Sequence, residues 1–328
     1  MSSLIAERRE ARLPADAVAS TSSYKMCTVC RTDRHASVLF EYGHLPLERV
    51  LEDAGGDPKT VIALGPQLLQ RVLRCGDCGL VYMDERMRPQ DLIAFYDQMG
   101  DIYDFYRYDE HSAIADKADI VAKYTGAKRG RFLDIGCARG DLLKELRDKG
   151  FDCYGVEISR GAVEIGRKEH GLNLYAGTLE EAHYADGFFD WVSAGDVIEH
   201  LQDPAEMISE IARILAPGGK VIIEVPSEAT IFRNVARAIY RLSGGRVRGP
   251  LDRLYNPFHL SYFSPKSMRR ALENVGLTIV DMGAKESYTT RHGKGARTGL
   301  RQLPIRALVA LDRLLGSGAK LVVCAAKQ

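Results

Sequence analysis

Four cysteines have the types and spacing of a metal site. Cys27 and Cys30 form one C-x-x-C pair, and Cys75 and Cys78 form another. Each pair can turn both sulfurs toward one ion, and four thiolates complete a tetrahedral Zn²⁺ site with no open position, which makes such a site structural. We therefore predict structural zinc here; the alternative is a set of four reduced thiols in which one pair is redox-active. The other three cysteines stand in apolar or motif contexts, and we expect them to be buried thiols.

A glycine loop followed by an acid forms the second group. The segment DIGCARG, residues 134–140, lies between a strand-like and a helix-like run, and Gly136 and Gly140 let its backbone approach a ligand at a helix N-terminus. Glu157 follows at the end of the next predicted strand, where a carboxylate can accept both ribose hydroxyls of an adenosine. The loop lacks the spacing and lysine of a phosphate-binding P-loop, and it does not match the G-x-G-x-x-G dinucleotide pattern. A loop for adenosine and an amino-acid moiety remains; turn glycines and a solvated acid are the alternatives.

The elements that must position these residues alternate from Arg131 onward. The predicted strands are RFLDIGC, FDCYGVEI, LNLYAG, FDWVSAGD and KVIIEVP, and the helices between them are DLLKELRDKG, RGAVEIGRKEHG and PAEMISEIARILAPGG. Such alternation is typical of βαβ units with a parallel sheet. LTIVDMGA and AKLVVCAAK are predicted as a closing pair of strands. The fold class is therefore α/β, with a doubly wound sheet that is mostly parallel and has an antiparallel last strand.

The composition shifts divide the chain into four parts. We predict a disordered polar tail at 1–23, a small zinc-binding subdomain at 24–83, a helical connector at 84–111 and a nucleotide-binding α/β domain at 112–328. The connector carries an aromatic, acidic stretch.

Five segments together resemble one family. LDIGCARGDLL is similar to the first motif of class I methyltransferases, which bind S-adenosylmethionine, although Ala138 stands where the middle glycine is usual. VEIS, FDWVSAGDVIEHL, ILAPGGKVIIEVP and NPFHLSYFSPKSMRRALENVGL resemble further motifs of that family in the right order. The resemblance covers most of 131–328 and implies a Rossmann-like fold and S-adenosyl-L-methionine as cofactor.

The resemblance also implies a set of residues that contact the cofactor. They are Asp134, Gly136, Cys137, Gly140, Glu157, Ile158, Thr178, Leu179 and Asp196. Asp134 has a second interpretation, in which it mainly orders the loop and meets the ligand's amino group through water. Thr178 stands where the family frequently has an acid, so main-chain groups or Leu179 are the alternative contacts of the adenine.

Two histidines and one acid are candidate catalytic residues. His200 follows the fourth predicted strand, and His259 lies in a segment that resembles an active-site lid of related small-molecule methyltransferases. Histidine titrates near neutrality, so either can take a proton from a hydroxyl; the alternative is that they only orient loops. Asp196 is predicted to line the methyl pocket or to be a helix N-cap. Metal binding by a paired acid and histidine is a less favoured hypothesis.

The N-terminal part resembles another group of sequences. C-x-x-C-G-L-V-Y followed by a tyrosine-rich segment is similar to the start of many bacterial methyltransferases of sugar and polysaccharide pathways. This resemblance implies a sugar, a nucleotide-linked sugar or a glycan as acceptor. It also places four tyrosines near the pocket, with packing between domains as the alternative: Tyr96, Tyr103, Tyr106 and Tyr108.

Composition and charge limit the other partners. The chain has 328 residues with a formal net charge of +1, and it lacks both a secretory h-region and an apolar run long enough to span a bilayer, so we expect a cytoplasmic protein. The basic stretch 232–253 repeats arginine every four residues at Arg233, Arg237 and Arg241, which share a helix face. That face suits a phosphate, a lipid-linked sugar or a membrane surface; the alternative is a solvated helix face. Oligomeric state is not predicted.

The first hypothesis is a small-molecule methyltransferase acting on oxygen. A second is an RNA methyltransferase whose zinc subdomain binds RNA, which the near-zero net charge and the absence of aromatic-basic interleaving make less favoured. A third is a scaffold that binds S-adenosylmethionine without catalysis, against which the loop glycines and Glu157 argue.

Overall fold

The computed structural model describes most of the predicted α/β domain and the two cysteine-containing ends of the predicted zinc-binding subdomain. The described residues are 22–23, 26–33, 35–41, 71–86, 110–255, 259–285 and 317–328. The tyrosine-rich stretch that holds Tyr96 to Tyr108 lies outside them.

A seven-stranded sheet forms the centre of the described residues. Its strands, in chain order, are β6 Arg131–Ile135, β7 Asp152–Glu157, β8 Asn173–Ala176, β9 Phe189–Gly195, β10 Leu215–Pro226, β12 Leu277–Lys285 and β13 Lys320–Lys327. The order across the sheet is β12-β13-β10-β9-β6-β7-β8. β6, β7, β8, β9 and β10 are parallel, and β13 is antiparallel to both of its neighbours. The predicted mostly parallel α/β sheet with an antiparallel last strand is confirmed.

One helix precedes the sheet and others lie between its strands, whereas turns join β8 to β9. The helices are α1 Glu110–Thr125, α2 Asp141–Asp148, α3 Arg160–His170, α4 Pro204–Ile214, α5 Ile231–Leu242, α6 Gly249–Leu254 and α7 Pro265–Glu273. Local chemistry sets their ends: the Ser159 hydroxyl accepts a hydrogen bond from the Ala162 N–H at the start of α3, and Gly171 ends that helix in the left-handed conformation. None of the helices within the described residues has the length and apolarity needed to cross a bilayer.

A second sheet joins the N-terminal part of the chain to the C-terminal part. It contains β2 Ala36–Glu41, β3 Arg71–Cys75, β4 Val81–Met83 and β11 Ser261–Tyr262, in the order β11-β4-β3-β2. β11 pairs antiparallel with β4, although about 180 residues separate the two strands. We refer to residues 26–41 and 71–83 as the cysteine module.

The cysteine module and the central sheet share one hydrophobic core. Buried Cys27, Cys75 and Leu80 belong to the same cluster as Ile135 of β6 and Ile198 after β9. The module therefore folds against the α/β domain rather than as a separate body.

Two short strands lie in segments for which the sequence predicts a tail and a helical connector. β1 Ser22–Ser23 falls within the predicted tail, and β5 Glu85–Arg86 falls within the predicted helical connector. The two segments pair antiparallel with each other, because a strand ladder satisfies backbone groups that neither segment can satisfy alone. Helix α4 also ends earlier than predicted, at Ile214, and the Pro-Gly-Gly run that was included in the predicted helix lies inside β10 at a register shift.

The arginine-bearing helix face of the basic stretch is buried rather than exposed. Arg233 and Arg237 lie on the buried side of α5, where they are 6% and 7% exposed. Both form ion pairs with Glu228, which is itself buried. The prediction that these two arginines form a solvated or membrane-facing surface was wrong, since helical spacing shows that residues share a face without showing which face packs inward.

Candidate functional site

The candidate site lies at the carboxyl ends of the parallel strands. β6 pairs with β7 on one side and with β9 on the other, so the chain direction of the connections reverses there. Ligands of open α/β sheets bind in the crevice outside the strands at such a reversal. The loops that follow β6, β7, β8 and β9 all begin at this edge.

The loop after β6 has a backbone that requires its small residues. Gly136 and Gly140 adopt φ values of +70° and +80°, and Ala138 between them also lies in the left-handed region at +48°. A Cβ on Gly136 would meet the Cγ2 atom of Val197 at 2.4 Å, and one on Gly140 would meet Leu172 at 2.5 Å. The two glycines are therefore needed for conformation and for close packing, which fits a loop whose backbone lines a ligand site.

Glu157 ties two loops of the cleft together. Its carboxylate accepts the N–H of Ala138 at 3.0 Å and the N–H of Ser159 at 2.9 Å. The side chain is 4% exposed, and burial raises its pKa although these two hydrogen bonds oppose the rise. Each oxygen keeps a lone pair for a further donor, so the carboxylate can still accept hydroxyl groups.

Asp134 lies next to Glu157 at the end of β6. It accepts a hydrogen bond of 2.5 Å from the Ser193 hydroxyl, and burial raises its pKa to about 6. The charge of Lys117 opposes that rise, and the ammonium group of Lys117 lies 3.5 Å from the carbonyl oxygen of Gly195. Lys117 brings a cation from α1 into a cleft of carboxylates, and sequence reasoning missed it because no motif surrounds it.

Asp196 begins the loop after β9. It has a left-handed φ of +60° and accepts a hydrogen bond of 2.6 Å from the ammonium group of Lys320. Lys320 also donates to Glu224 at 2.8 Å. Burial opposes ionisation of Asp196, but the charges of Lys320 and Lys117 outweigh it and lower its pKa. Asp196 is not a helix N-cap, since the short 3₁₀ helix Ile198–His200 is preceded by Val197 and has no side-chain cap.

Three titratable side chains meet beyond Asp196. The ring centroids of His200 and His259 are 4.8 Å apart at an interplanar angle of 83°. One ligand atom from each of Glu199, His200 and His259 lies within 4.8 Å of the others. We call these three residues the acceptor cluster. The structure thus brings together the two histidines that the sequence singled out separately.

Glu199 is the member of the acceptor cluster that sequence reasoning missed. It is 1% exposed, and neither carboxylate oxygen has a hydrogen-bond partner among the described residues. Burial, with the charge of Asp196, raises its pKa to about 8. Burial and the positive surroundings of His200 and Arg233 lower the pKa of His259 to about 3. Its position directly before His200 was the available signal in the sequence.

The cluster can act on a proton or on a cation. An unpaired buried carboxylate beside two imidazoles stabilises an imidazolium when one forms. The same donor set of one carboxylate oxygen and two ring nitrogens also suits a divalent transition metal.

The loop after β8 is held by its own side chains. The Thr178 N–H donates to the Glu181 carboxylate at 2.9 Å, and the Thr178 hydroxyl accepts the Glu181 N–H at 3.3 Å. Leu179 is 1% exposed and belongs to the core. Contacts of this loop with an adenine ring stay a prediction.

Two further predicted cofactor residues lie at the same edge. The side chain of Cys137 is buried in the core, and both its N–H and its carbonyl oxygen have main-chain partners. Ile158 is half-buried at the rim beside Glu157. Their roles toward a ligand stay predictions.

The four predicted metal ligands also meet. The sulfurs of Cys27, Cys30, Cys75 and Cys78 lie within 4.8 Å of one another, and those of Cys27 and Cys78 are 3.6 Å apart. That distance is far longer than the roughly 2.05 Å of a disulfide. It is close to the separation of about 3.8 Å that tetrahedral Zn–S bonds of about 2.3 Å impose. The four thiols fit one zinc ion. The three remaining cysteines are free and buried as predicted.

Comparison with known proteins identifies the chain. A family described as "Methyltransferase domain" matches residues 106–282, more than half of the sequence. The chain belongs to the class I S-adenosylmethionine-dependent methyltransferases.

Relatives of this methyltransferase carry related names. The ubiquinone biosynthesis O-methyltransferase of Aeromonas salmonicida is 27% identical over 169 residues, which are 50% of this chain and 69% of that protein. The enzyme of the same name from Alkalilimnicola ehrlichii is 31% identical over 136 residues, 39% of this chain and 53% of that protein. The chain thus spans between about half and about two thirds of the length of these two relatives.

A solved structure shares the fold of the methyltransferase. A chain from the complex between the Haloferax volcanii Trm112 methyltransferase activator and its methyltransferase partner superposes with a TM-score of 0.51 at 19% identity, covering 70% of this chain and 96% of that one. At this identity the similarity shows the α/β fold alone.

The residues of the methyltransferase fit S-adenosylmethionine. The cleft contains a loop that tolerates no Cβ at two positions and a buried carboxylate with free lone pairs. These features suit the close approach of a nucleoside and the binding of its ribose hydroxyls. Lys117 and Asp134 are groups of opposite charge, as the two ends of an amino-acid moiety would require; their contact with it stays a prediction.

Proposed function

We propose that this methyltransferase acts on a hydroxyl group of a small molecule, of the class of sugars, nucleotide-linked sugars or glycans. The observation that carries the proposal is the acceptor cluster, in which a buried carboxylate with no hydrogen-bond partner among the described residues lies within 4.8 Å of two imidazoles. A hydroxyl must lose its proton when it attacks a methyl group, whereas a neutral amine or an acidified carbon has less need of a base. The relatives named as O-methyltransferases support oxygen as the acceptor atom. The sugar class rests on the resemblance of the N-terminal part.

The residues of the site have separate roles in the proposed reaction. S-adenosylmethionine, when bound, supplies a methyl group that is electrophilic because it is attached to a sulfonium. Glu157 holds the ribose, and the main chain around Gly136 and Gly140 fixes the depth of the nucleoside. These contacts align the reactants, which supplies a large part of the rate of such a transfer.

The acceptor cluster takes the proton. His259 or His200 receives it from the acceptor hydroxyl as the new bond from oxygen to carbon forms, and the bond from carbon to sulfur breaks. Burial makes an isolated imidazolium unfavourable at this position. Glu199 supplies the charge that stabilises it in the molecules in which this acid is ionised, a fraction that grows as the pH approaches its pKa of about 8.

The four cysteines of the module hold a structural zinc ion in this proposal. Their separations support it, because four sulfurs within 4.8 Å of one another need little movement to reach a tetrahedral arrangement. Metal analysis of the purified protein, with about one zinc ion expected per chain, tests it. Recovery of four free thiols without metal from a zinc-supplemented preparation would refute it.

A membrane or a lipid-linked acceptor is the proposed partner of one surface. The exposed residues near the end of α5 combine apolar and basic side chains, with Leu242 89% and Val247 46% exposed beside Arg241 and Arg246. Such a combination suits the interface of an anionic bilayer. Sedimentation with vesicles containing anionic lipid, compared for wild type and Leu242→Asp, tests this contact. Equal sedimentation of the two proteins would argue against it.

The main experiment measures methyl transfer from labelled cofactor. The acceptor panel consists of nucleotide sugars, glycans, lipid-linked sugars and RNA, each with and without added divalent metal and chelator. We expect label in a sugar-containing acceptor and a loss of about 100-fold or more in His259→Ala or His200→Ala. His183→Asn is a matched control, because His183 is an exposed histidine with a left-handed φ that asparagine tolerates.

The outcomes separate the hypotheses. Label in RNA alone, with strong dependence on salt, favours an RNA methyltransferase. Absence of cofactor binding in calorimetry would remove the basis of the whole proposal, whereas binding without transfer to any acceptor favours a scaffold. Full activity of both histidine variants at saturating cofactor would show that neither histidine is the base.

A further inference from the structure

The segment that carries His259 is built into the cysteine module. Ser261 and Tyr262 pair with Tyr82 and Val81 of β4, which follows directly after the second C-x-x-C pair. β11 is thus an edge strand of the module's sheet, although it belongs to the C-terminal half of the chain.

Leu260 connects the module to the acceptor cluster through its main chain. The N–H of Met83 in β4 donates to the carbonyl oxygen of Leu260 at 3.0 Å. The N–H of Leu260 donates to the carbonyl oxygen of Glu199 at 2.7 Å. Two successive hydrogen bonds therefore run from the module, through the neighbour of His259, to Glu199. Leu260 is 4% exposed, so water does not easily replace either bond.

A second connection runs through Glu228. Its N–H donates to the carbonyl oxygen of Phe263 at 2.8 Å, directly after β11. Its carboxylate accepts a hydrogen bond of 2.9 Å from Arg74 of β3, one residue before Cys75. Glu228 is 3% exposed. Both ends of β11 are thus fixed by strands that adjoin the second cysteine pair.

The cofactor side has a different support. Glu157, Asp134 and the loop around Gly136 are held by β6, β7 and β9, whose hydrogen bonds do not pass through the module; the module meets these strands only in the shared apolar core, which includes Ile135 of β6. Loss of order in the module should therefore reach the acceptor cluster before it reaches the cofactor residues.

We propose that the cysteine module is a positioning element for the acceptor cluster, so that metal held by its four cysteines sets the rate of methyl transfer while leaving cofactor binding nearly unchanged. Structural zinc contributes folding free energy to the segment that binds it. Here that free energy is passed to residues 259–262 by strand pairing. Leu260 and Met83 are positioning residues, since they act through Glu199 and His259 rather than on the reacting atoms. The inference rests on the proposed function, because it concerns the same site.

The experiment compares the full-length protein before metal removal, after chelation and after zinc is restored. Three quantities are measured: cofactor affinity by calorimetry, amide hydrogen exchange of Met83 and Leu260, and methyl transfer. We expect chelation to accelerate exchange of these two amides at least tenfold and to reduce transfer at least tenfold. Cofactor affinity should change less than twofold, and the amides of β6 and β9 should keep their protection. Restored zinc should reverse all changes.

Cysteine variants give an independent test that does not need a chelator. Cys30→Ser replaces the half-buried ligand, and we expect it to reproduce the effects of chelation in milder form. Cys153→Ser is the matched control, because Cys153 is a buried cysteine of β7 outside the module. Asn274→Ala removes another bond between the module and the α/β domain, from Asn274 to the carbonyl oxygen of Val29, without touching β11; we expect unchanged transfer.

Two results would overturn the inference. One is metal loss with unchanged exchange at Met83 and Leu260 and unchanged transfer. The other is metal loss that weakens cofactor affinity as much as transfer, which would mean that the module supports the whole domain. Exchange and cofactor affinity need no acceptor, so failure here can be told apart from a wrong acceptor class in the proposed function.

Discussion

The cofactor side and the acceptor side of this methyltransferase are built in different ways. The cofactor side consists of consecutive loops after β6, β7, β8 and β9, each held by contacts to the neighbouring strands. The acceptor side is assembled from Glu199 and His200 after β9, from His259 more than fifty residues later, and from β4 near the start of the chain. The cofactor side follows from a local sequence pattern. The acceptor side depends on distant segments that meet only after folding.

Electrostatics separates the two sides as well. On the cofactor side, Glu157 and Asp134 have partners that donate hydrogen bonds to them. On the acceptor side, the carboxylate of Glu199 is buried and has no donor in the part of the chain that the structure describes, which disfavours its ionised form and raises its pKa to about 8. Buried acids with a raised pKa are frequent at sites of proton transfer, so this contrast supports the role proposed for the acceptor cluster.

Replacement of Glu157 should weaken cofactor binding, and this is the largest effect that we expect. Glu157→Ala removes the ribose acceptor and also both main-chain tethers to Ala138 and Ser159. We expect cofactor affinity to fall about 100-fold or more, since one hydrogen bond to a charged group contributes about 1.5–3 kcal/mol and about 1.4 kcal/mol corresponds to a factor of ten. Calorimetry with S-adenosylmethionine measures the change. Glu164→Ala, at an exposed position of α3, is the control and should bind normally. An unchanged dissociation constant in Glu157→Ala would contradict the cofactor placement.

Glu199→Gln should act on the acceptor side alone. Gln keeps the shape but cannot become the carboxylate that stabilises an imidazolium, so we expect a 10- to 100-fold lower rate of transfer with normal cofactor affinity. In the wild type the rate should rise as the pH passes about 8, where Glu199 ionises, and this rise should be absent in the variant. A wild-type profile without a rise near pH 8, or a variant that keeps it, would remove Glu199 from the mechanism.

The same pKa has a consequence for stability with a definite sign. The pKa of Glu199 is raised from 4.5 to about 8 in the folded protein, so the folded state holds a proton that the unfolded state has lost. Stability should therefore fall as the pH rises from about 4.5 to about 8. Glu199→Gln has no titrating carboxyl group at this position and so lacks this loss. Its free energy of unfolding relative to wild type should therefore increase on the order of 3 kcal/mol between pH 5 and pH 9. Denaturant unfolding at both pH values measures the difference.

Much of the cofactor side could be predicted because its signals are local. Gly136, Gly140 and Glu157 lie within a short stretch whose strand and helix periods are visible in the sequence, and the structure brings them to one edge. The acceptor side could be predicted only in part. His200 and His259 were found by type and resemblance, but neither β11 pairing with β4 nor the burial of Glu199 has a local signal.

The basic stretch shows the same limit at the level of single residues. The spacing of Arg233 and Arg237 correctly predicts that they share a helix face, yet that face is buried against Glu228 rather than exposed. Which face of a helix packs inward depends on the segments that cover it, and here one of them is the cysteine module through Arg74.

Replacement of Lys320, whose partners lie between the cofactor side and the acceptor side, should have a smaller effect, and it concerns stability. Lys320→Met leaves Asp196 and Glu224 without their shared cation, and we expect a loss of about 2 kcal/mol in the free energy of unfolding at neutral pH. Asp196 has a lowered pKa, so its contribution is present above its ordinary pKa and is lost as the pH falls. The difference between variant and wild type should accordingly be smaller at pH 4 than at pH 7 in urea unfolding. Lys266→Met, at an exposed position of α7, should match wild type at both pH values.

Thr178→Ala should have the smallest effect, and its size measures how far the cofactor side depends on single side chains. The substitution removes the hydrogen bond from the Glu181 N–H to the Thr178 hydroxyl but keeps the bond from the Thr178 N–H to the Glu181 carboxylate. One exposed hydrogen bond of this type contributes about 0.5–1 kcal/mol, so we expect cofactor affinity to weaken by less than about fivefold. Glu181→Gln, which keeps the length of the side chain but removes its charge, should behave similarly. A loss of 100-fold in Thr178→Ala would mean that the hydroxyl itself binds the adenine, and the cofactor side would then depend on individual side chains as strongly as the acceptor side does.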